Sequence, residues 1–119
     1  MSHAANIVVL LVALEHAYFA LLEIVMWEKP LGLKSFGNTP ASAAATARLA
    51  KNMGTYNLFL SAGLVWSLIA PPEAAAGIRL FFLGCVVIAG IVGAVTVSPR
   101  ILLVQALPAA LGLSLAYFS

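Results

Sequence analysis

Four long apolar stretches, separated by short polar segments, dominate the chain. They cover residues of about 4–27, 52–70, 74–97 and 101–118, and each break between them contains at least one proline. About 20 helical apolar residues are needed to cross the ~30 Å hydrocarbon core of a bilayer. Loops this short place consecutive helices side by side in opposite directions. The pattern therefore predicts an all-α polytopic membrane protein, an antiparallel bundle of four transmembrane helices that forms a single transmembrane domain over residues 1–119.

Turn-forming residues predict where the helices begin and where one of them is disturbed. The first loop, residues 28–40, is rich in glycine and proline, and it ends with Thr39 and Pro40, which are typical of an N-cap and a first helical position. The second helix is therefore expected to start near residue 40 on the cytoplasmic side and to enter the membrane near Asn52. Pro108 lies inside the fourth stretch, where it is expected to kink the helix and free a carbonyl group.

The composition points to lipid as the solvent of this chain. Hydrophobic residues make up 63% of the sequence and charged residues 8%, against roughly 45–50% and about 25% in soluble domains. So little polar surface cannot cover a fold in water, which makes the lipid bilayer the first expected partner. The net charge is only +2 and forms no basic face, so we expect no nucleic-acid partner. The single cysteine excludes a disulfide framework within the chain, and no metal site is predicted.

The positions of the cations predict the orientation in the membrane. Five of the six Lys and Arg residues lie in or beside the first and third loops, namely Lys29, Lys34, Arg48, Lys51 and Arg100. Arg79 is the cation on the other side. By the positive-inside rule the cation-rich loops face the cytoplasm, so both termini are expected to lie outside.

Polar residues inside the apolar stretches are the candidate functional groups. At a rise of about 1.5 Å per residue, one layer roughly 6–9 Å inside the cytoplasmic boundary contains Glu23, Tyr56, Asn57 and Gln105. Glu15 and His16 lie deeper, near the bilayer midplane. His16 and Glu23, seven residues apart, share one helix face. An ionised group at the centre of a membrane helix costs about 2.5–3.5 kcal/mol, so such residues indicate function. The predicted polar track contains Glu15, His16, Glu23, Asn52, Tyr56, Asn57 and Gln105.

Several short segments resemble the bacterial and fungal domain of unknown function 1304 family, and the resemblance covers nearly the whole chain. These segments are Ala13-Leu14-Glu15-His16, Leu22-Glu23, Met26-Trp27, Phe36-Gly37, Asn52-Met53-Gly54-Thr55-Tyr56-Asn57, Phe59-Leu60, and Gln105 before Pro108-Ala109. The Asn-x-Gly-x-Tyr-Asn pattern is the most specific of them. The resemblance implies a small four-span integral protein of the plasma membrane, the inner membrane in a bacterium, and supplies no reaction. Met53 stands where a glutamine is expected, which suggests that this position is not the chemical centre.

The first functional hypothesis is an intramembrane site for a small, fairly apolar molecule, in a membrane isomerase or another proton-transfer enzyme. His16, Glu23 and Tyr56 are the candidate catalytic residues, because acid–base groups and a positioning donor suffice for such reactions. The candidate ligand-binding residues are Glu15, Asn52, Asn57 and Gln105. No phosphate-binding loop, zinc-protease motif or nucleophile elbow is present. A haem bound through His16 is a further hypothesis, which a Soret band in the purified protein would test.

Two other hypotheses fit the same residues. The chain is a proton-coupled or small-solute transporter in which Glu15, His16 and Glu23 relay protons along one helix. Four spans enclose little volume, so such a pathway requires several subunits, and a homo-oligomer is expected. Alternatively, the chain is a non-catalytic membrane subunit whose polar layer fixes the register of its helices. The sequence leaves all three open.

Overall fold

The computed structural model describes residues 2–118 and is built from helices. Within that range 88% of the residues are helical and no strand occurs, so the predicted all-α class is confirmed. The α-helices are α1 (His3–Ile24), α2 (Pro30–Phe36), α3 (Pro40–Ile69), α4 (Pro72–Thr96) and α5 (Leu107–Phe118), and a π-helical turn (Leu102–Ala106) precedes α5.

Two of these helices meet the length and composition expected of a membrane span. Among residues 2–118 they are α1, with a mean hydropathy of 2.1, and α4, with 2.4. Helix α3 is longer but carries polar residues such as Asn52 and Asn57 near its middle. The apolar helical segment Leu102–Phe118 is shorter than 18 residues. A membrane location therefore has support from two helices, and the four-span bundle stays a prediction.

The expectation that residues 28–40 form a plain loop is wrong, because they contain helix α2. Pro30 takes the first helical position after the extended Lys29, where its missing N–H is not needed. Gly37 ends the helix in the left-handed conformation, with φ of 68°, and its N–H donates to the Leu33 carbonyl. Buried Gly32 allows α2 to approach the end of α1, since a Cβ there would lie 3.0 Å from the Trp27 Cα atom.

The start of α3 is confirmed at Pro40. The Ser42 N–H donates to the Thr39 hydroxyl oxygen at 3.1 Å, and the Thr39 N–H donates to the Ser42 hydroxyl oxygen at 3.0 Å. This reciprocal pair satisfies two backbone donors at the helix end, as a capping box does. It explains why the helix begins where the Thr-Pro sequence predicts.

The helix is disturbed next to Pro108, as expected, and the disturbance is a π-helical turn. The Leu107 N–H donates to the Leu102 carbonyl five residues earlier. Pro108 has no N–H to offer the Val104 carbonyl, so a regular α-helical bond is impossible there. The interruption of the α-helical hydrogen-bond pattern, which is the π-helical turn, therefore lies just before the proline.

The chain divides into two compact contact units, and α1 and α3 each contribute to both. Residues 2–14 and 60–118 belong to the first contact unit, and residues 15–59 form the second. The core of the first unit consists of Val9, Val12, Ala13, Leu64, Leu83, Val86 and Ala109. In this unit α4 passes close to the π-helical turn, since a Cβ on Gly90 would lie 2.7 Å from the Ala106 backbone nitrogen.

The second contact unit joins the end of α1 to the first half of α3 and to α2. The Trp27 indole N–H lies 3.1 Å from the Ala43 carbonyl oxygen and 3.2 Å from the Thr46 hydroxyl oxygen. The ring of Trp27 also packs on Phe36, with 4.8 Å between the ring centroids. Trp27 therefore links α2 and α3 to the end of α1.

Candidate functional site

A face of small residues on α3 brings this helix against α1 in the second contact unit. Ala43, Ala50 and Gly54 recur at helical spacing and are buried. A Cβ on Gly54 would lie 2.5 Å from Cγ1 of Ile24 and 3.2 Å from Cβ of Glu23. Asn57 follows Gly54 by three residues and therefore lies on the same face.

The close packing of α3 against α1 brings Glu23 into contact with Asn57. The Asn57 side-chain amide donates a hydrogen bond to the Oε1 atom of Glu23, across 34 residues of sequence. Glu23 is only 3% exposed. A buried carboxyl group requires such a donor, because an unsatisfied buried polar group costs about 1–3 kcal/mol. The hydrogen bond therefore holds the one buried carboxyl group of this unit in a defined position.

A cavity of about 260 Å³ adjoins Glu23 in the second contact unit. Its walls are formed by Glu23, Ile24, Val25, Trp27, Glu28, Lys29, Ala47 and Lys51. One part of this lining is apolar, and the other part carries two carboxyl groups and two ammonium groups. Among residues 2–118 no ion pair within 4.0 Å joins any two of these four charged side chains. The cavity thus offers both signs of charge beside an apolar wall.

A second polar pair lies on α1, about two turns before Glu23. The Nδ1 atom of His16 is 3.9 Å from Oε1 of Glu15. His16 is fully buried, and its ring meets Phe19 edge-on with 5.4 Å between centroids. The Glu15 Oε1 atom is buried and accepts no hydrogen bond from residues 2–118, while the Glu15 side chain as a whole is 25% exposed. The pair combines a buried imidazole with a partly exposed carboxyl group.

The other predicted site residues lie elsewhere. Tyr56 is 60% exposed, with its ring edge-on to Phe59, and Asn52 is exposed as well. Both lie off the α3 face that carries Gly54 and Asn57, because neighbouring helical residues point about 100° apart. Gln105 is half-buried in the π-helical turn. The structure therefore brings Glu23 together with Asn57, and Glu15 with His16, but does not add Tyr56 or Asn52 to the Glu23 pair.

Sequence reasoning misses several residues that line the cavity, and one buried cation. It assigns Lys29 and Lys51 only to orientation, although Lys51 follows Ala47 by four residues and so shares its helix face. It assigns Arg79 to the outer side, yet this residue is 3% exposed on α4. The spacing of four residues from Arg79 to buried Ala75 and Leu83 is the signal that could locate it.

The described residues show no arrangement that would suit a metal ion. In residues 2–118 no group of three or more His, Cys, Asp or Glu side chains could hold one. The ionisable side chains that line the cavity are those of Glu23, Glu28, Lys29 and Lys51. These groups can bind charges of either sign and exchange protons.

The family comparison covers both the cavity and the buried pair. A family model described as a protein of unknown function (DUF1304) matches residues 10–117. No curated protein and no solved structure matches the chain. The matched range contains every residue that lines the cavity.

Proposed function

Because the chain belongs to the family described as protein of unknown function (DUF1304), whose description assigns no activity, we propose a function from its own geometry. The chain holds a small amphiphilic molecule in the cavity beside Glu23, at the end of a membrane-spanning α1. The observation that carries this proposal is the buried Glu23 carboxyl group, which Asn57 positions at the wall of a partly apolar cavity. Pockets of this kind, apolar with a few placed polar groups, are typical ligand sites.

The proposed setting is a four-span antiparallel bundle in the plasma membrane with both termini outside. Large apolar side chains on the helix surfaces support it, for example Ile69, Phe81 and Val95 at 78%, 65% and 82% exposure. Lipid satisfies such a surface, whereas water does not. The orientation is supported by the cations of the first and third loops. A homo-oligomer is supported by Gly77 on α4, where an added Cβ would meet nothing within 4 Å and a second helix could approach closely.

The chemistry proposed for this site is proton transfer to or from the bound molecule, as in an isomerase. Glu23 is the acid–base group of the cavity, and Lys29 and Lys51 would orient the polar part of the molecule. His16 does not line the cavity, so the catalytic part of the proposal depends on Glu23. Tyr56 and Asn52 would contact only a molecule that approaches the exposed side of α3.

Trp27 makes this proposal measurable, because it lines the cavity. In a Trp66→Phe chain, Trp27 is the remaining tryptophan, and bromine atoms close to an indole quench its fluorescence. We expect saturable quenching by at least one of three bromine-labelled single-chain amphiphiles, one anionic, one cationic and one zwitterionic. The Ala47→Phe substitution should weaken that binding by about tenfold or more, because the new ring fills the cavity.

The matched control is the Trp27→Phe chain, in which Trp66 reports contact of the probe with the exposed, lipid-facing surface of the protein. Trp66 is 53% exposed on α3 and does not line the cavity. The quenching of Trp66 should rise in proportion to the concentration of the probe and should not saturate. Equal, non-saturating curves for Trp27 and Trp66 with all three probes would exclude the proposed site.

The Glu15 and His16 pair favours a second candidate function, proton-coupled transport by an oligomer. The imidazole of His16 lies 3.9 Å from the buried Oε1 atom of Glu15, and the Glu15 side chain is 25% exposed, so the pair can pass a proton between helix surface and interior. In proteoliposomes with an imposed pH gradient, Glu15→Gln should lower proton flux by about tenfold. Glu73→Gln, at an exposed site in the first turn of α4, is the matched control. Equal flux in both variants would leave the non-catalytic subunit as the remaining alternative to the ligand site.

A further inference from the structure

The charges around the cavity restrict the class of molecule that it can hold, if the proposed ligand site is correct. Two glutamates, Glu23 and Glu28, and two lysines, Lys29 and Lys51, are among the residues that line the same space of about 260 Å³. Among residues 2–118 none of these four forms an ion pair with another within 4.0 Å. A purely anionic molecule would face the two carboxyl groups, and a purely cationic one would face the two lysines. A molecule with one charge of each sign satisfies both pairs.

The buried carboxyl group favours a cation that carries N–H donors. Glu23 is 3% exposed and already accepts one hydrogen bond from Asn57 at Oε1. The remaining lone pairs of a carboxylate are satisfied by hydrogen-bond donors, which a primary ammonium supplies and a quaternary ammonium lacks. The two lysines fit an anionic group such as a phosphate, for which Lys is a common ligand.

The size and surroundings of the cavity indicate a lipid headgroup. Its volume is slightly below the roughly 300–1,000 Å³ of pockets that enclose drug-sized molecules, so acyl chains do not fit inside it. Val25, a residue of its wall, is 55% exposed and continues into an exposed apolar stripe on α1 with Leu21 and Tyr18, at 48% and 47%. These positions share one helix side at a spacing of three and four residues. An acyl chain leaving the cavity would lie along this stripe.

We infer that the cavity binds a zwitterionic phospholipid whose headgroup combines a phosphate with a primary ammonium, as in phosphatidylethanolamine. The ammonium group lies against Glu23 and Glu28, and the phosphate lies against Lys29 and Lys51. The proposed function requires only some amphiphile; this inference assigns its headgroup.

The test uses the full chain in detergent micelles, in the Trp66→Phe background, with phospholipids that carry identical brominated acyl chains. Phosphatidylethanolamine should saturate the quenching of Trp27 at a concentration about tenfold lower than phosphatidylcholine or phosphatidylglycerol, because only its headgroup offers both charges and N–H donors. Glu23→Gln should remove the preference for phosphatidylethanolamine over phosphatidylglycerol. If the Glu23→Gln variant does not fold, Glu28→Gln, at an exposed position, replaces it. This second variant should reduce the preference for phosphatidylethanolamine over phosphatidylglycerol.

The lysine side of the site has a matched control on the same helix. Lys51→Gln should weaken the binding of phosphatidylethanolamine and phosphatidylglycerol alike. Arg48→Gln removes the same charge from an exposed position three residues earlier, which does not line the cavity. This control variant should leave the binding of both lipids unchanged.

The outcomes separate this inference from the proposed function. Saturable but equal quenching by the three lipids would overturn the headgroup assignment and leave an amphiphile site in place. Absence of saturable quenching with these lipids and with the single-chain probes would overturn both. Soluble O-phosphoethanolamine should compete only weakly with brominated phosphatidylethanolamine for the cavity. If it competed as strongly as unlabelled phosphatidylethanolamine, the cavity would be assigned to a free zwitterion instead.

Discussion

Replacing Gly90 by alanine is expected to destabilise the folded chain by about 1–3 kcal/mol, the usual effect of overpacking a close contact. The added Cβ would lie 2.7 Å from the backbone nitrogen of Ala106 and 2.9 Å from its Cα atom. These are backbone atoms, so no side-chain rotation can relieve the overlap. Helix α4 and the π-helical turn would have to separate, which exposes the contact that holds them together in the first contact unit.

The matched control is Gly84→Ala on the same helix. A Cβ at Gly84 would meet nothing within 4 Å, so this change should be neutral or stabilising by up to about 1 kcal/mol, the helix propensity that alanine gains over glycine. The free energy of unfolding of both variants would be measured by denaturant titration in micelles. If Gly90→Ala were as stable as Gly84→Ala, the close approach of α4 to residue 106 would be incorrect.

The helix boundaries predicted from local signals are the part of the fold that the sequence determines best. Thr39 and Pro40 mark the start of α3 because a cap is built from neighbouring residues. Helix α2 escapes prediction because its glycine and proline content is also typical of a loop. Its position depends on Gly32 packing against Trp27, a tertiary contact that no local pattern contains.

Depth along the helices predicts the central pair but cannot decide which neighbours join it. Glu23 and Asn57 are expected in one layer, and they do form a hydrogen bond. Tyr56 is expected in the same layer, yet depth along a helix carries no information about angle. The buried positions Ala43, Ala50 and Gly54 mark the face of α3 that meets α1, and Tyr56 lies about 100° away from Asn57.

The cavity could not be predicted from the sequence. Lys29 and Lys51 have the positions expected of cations at a membrane boundary, which explains why the sequence assigns them only to orientation. Whether such cations also line a cavity depends on how the surrounding side chains pack in three dimensions, which their positions along the sequence do not contain. The same is true of Trp27, whose indole N–H is directed at α3 by the approach of the two helices.

Replacing Asn57 by leucine is expected to destabilise the chain by about 1–3 kcal/mol, because the buried Glu23 carboxyl group then loses its donor. Glu23→Leu should also destabilise it, since the Asn57 amide then loses its acceptor. The double variant should recover part of the loss, because an apolar pair leaves no unsatisfied polar group. Denaturant titration of the four chains measures this coupling, and Asn52→Leu, at an exposed position on α3, should change little. Additive effects of the two substitutions would show that the side chains do not interact.

The double variant also separates a ligand site from a purely structural polar layer. If the Glu23 and Asn57 pair serves only to fix helix register, the double leucine chain should fold, assemble and retain whatever Trp27 quenching the unmodified chain shows. If the pair serves the proposed ligand site, stability should recover while saturable quenching of Trp27 is lost, because the apolar replacement supplies packing without a carboxyl group for the ligand. Stability and quenching therefore respond in opposite ways in this one chain, which distinguishes the two functions whatever the natural ligand is.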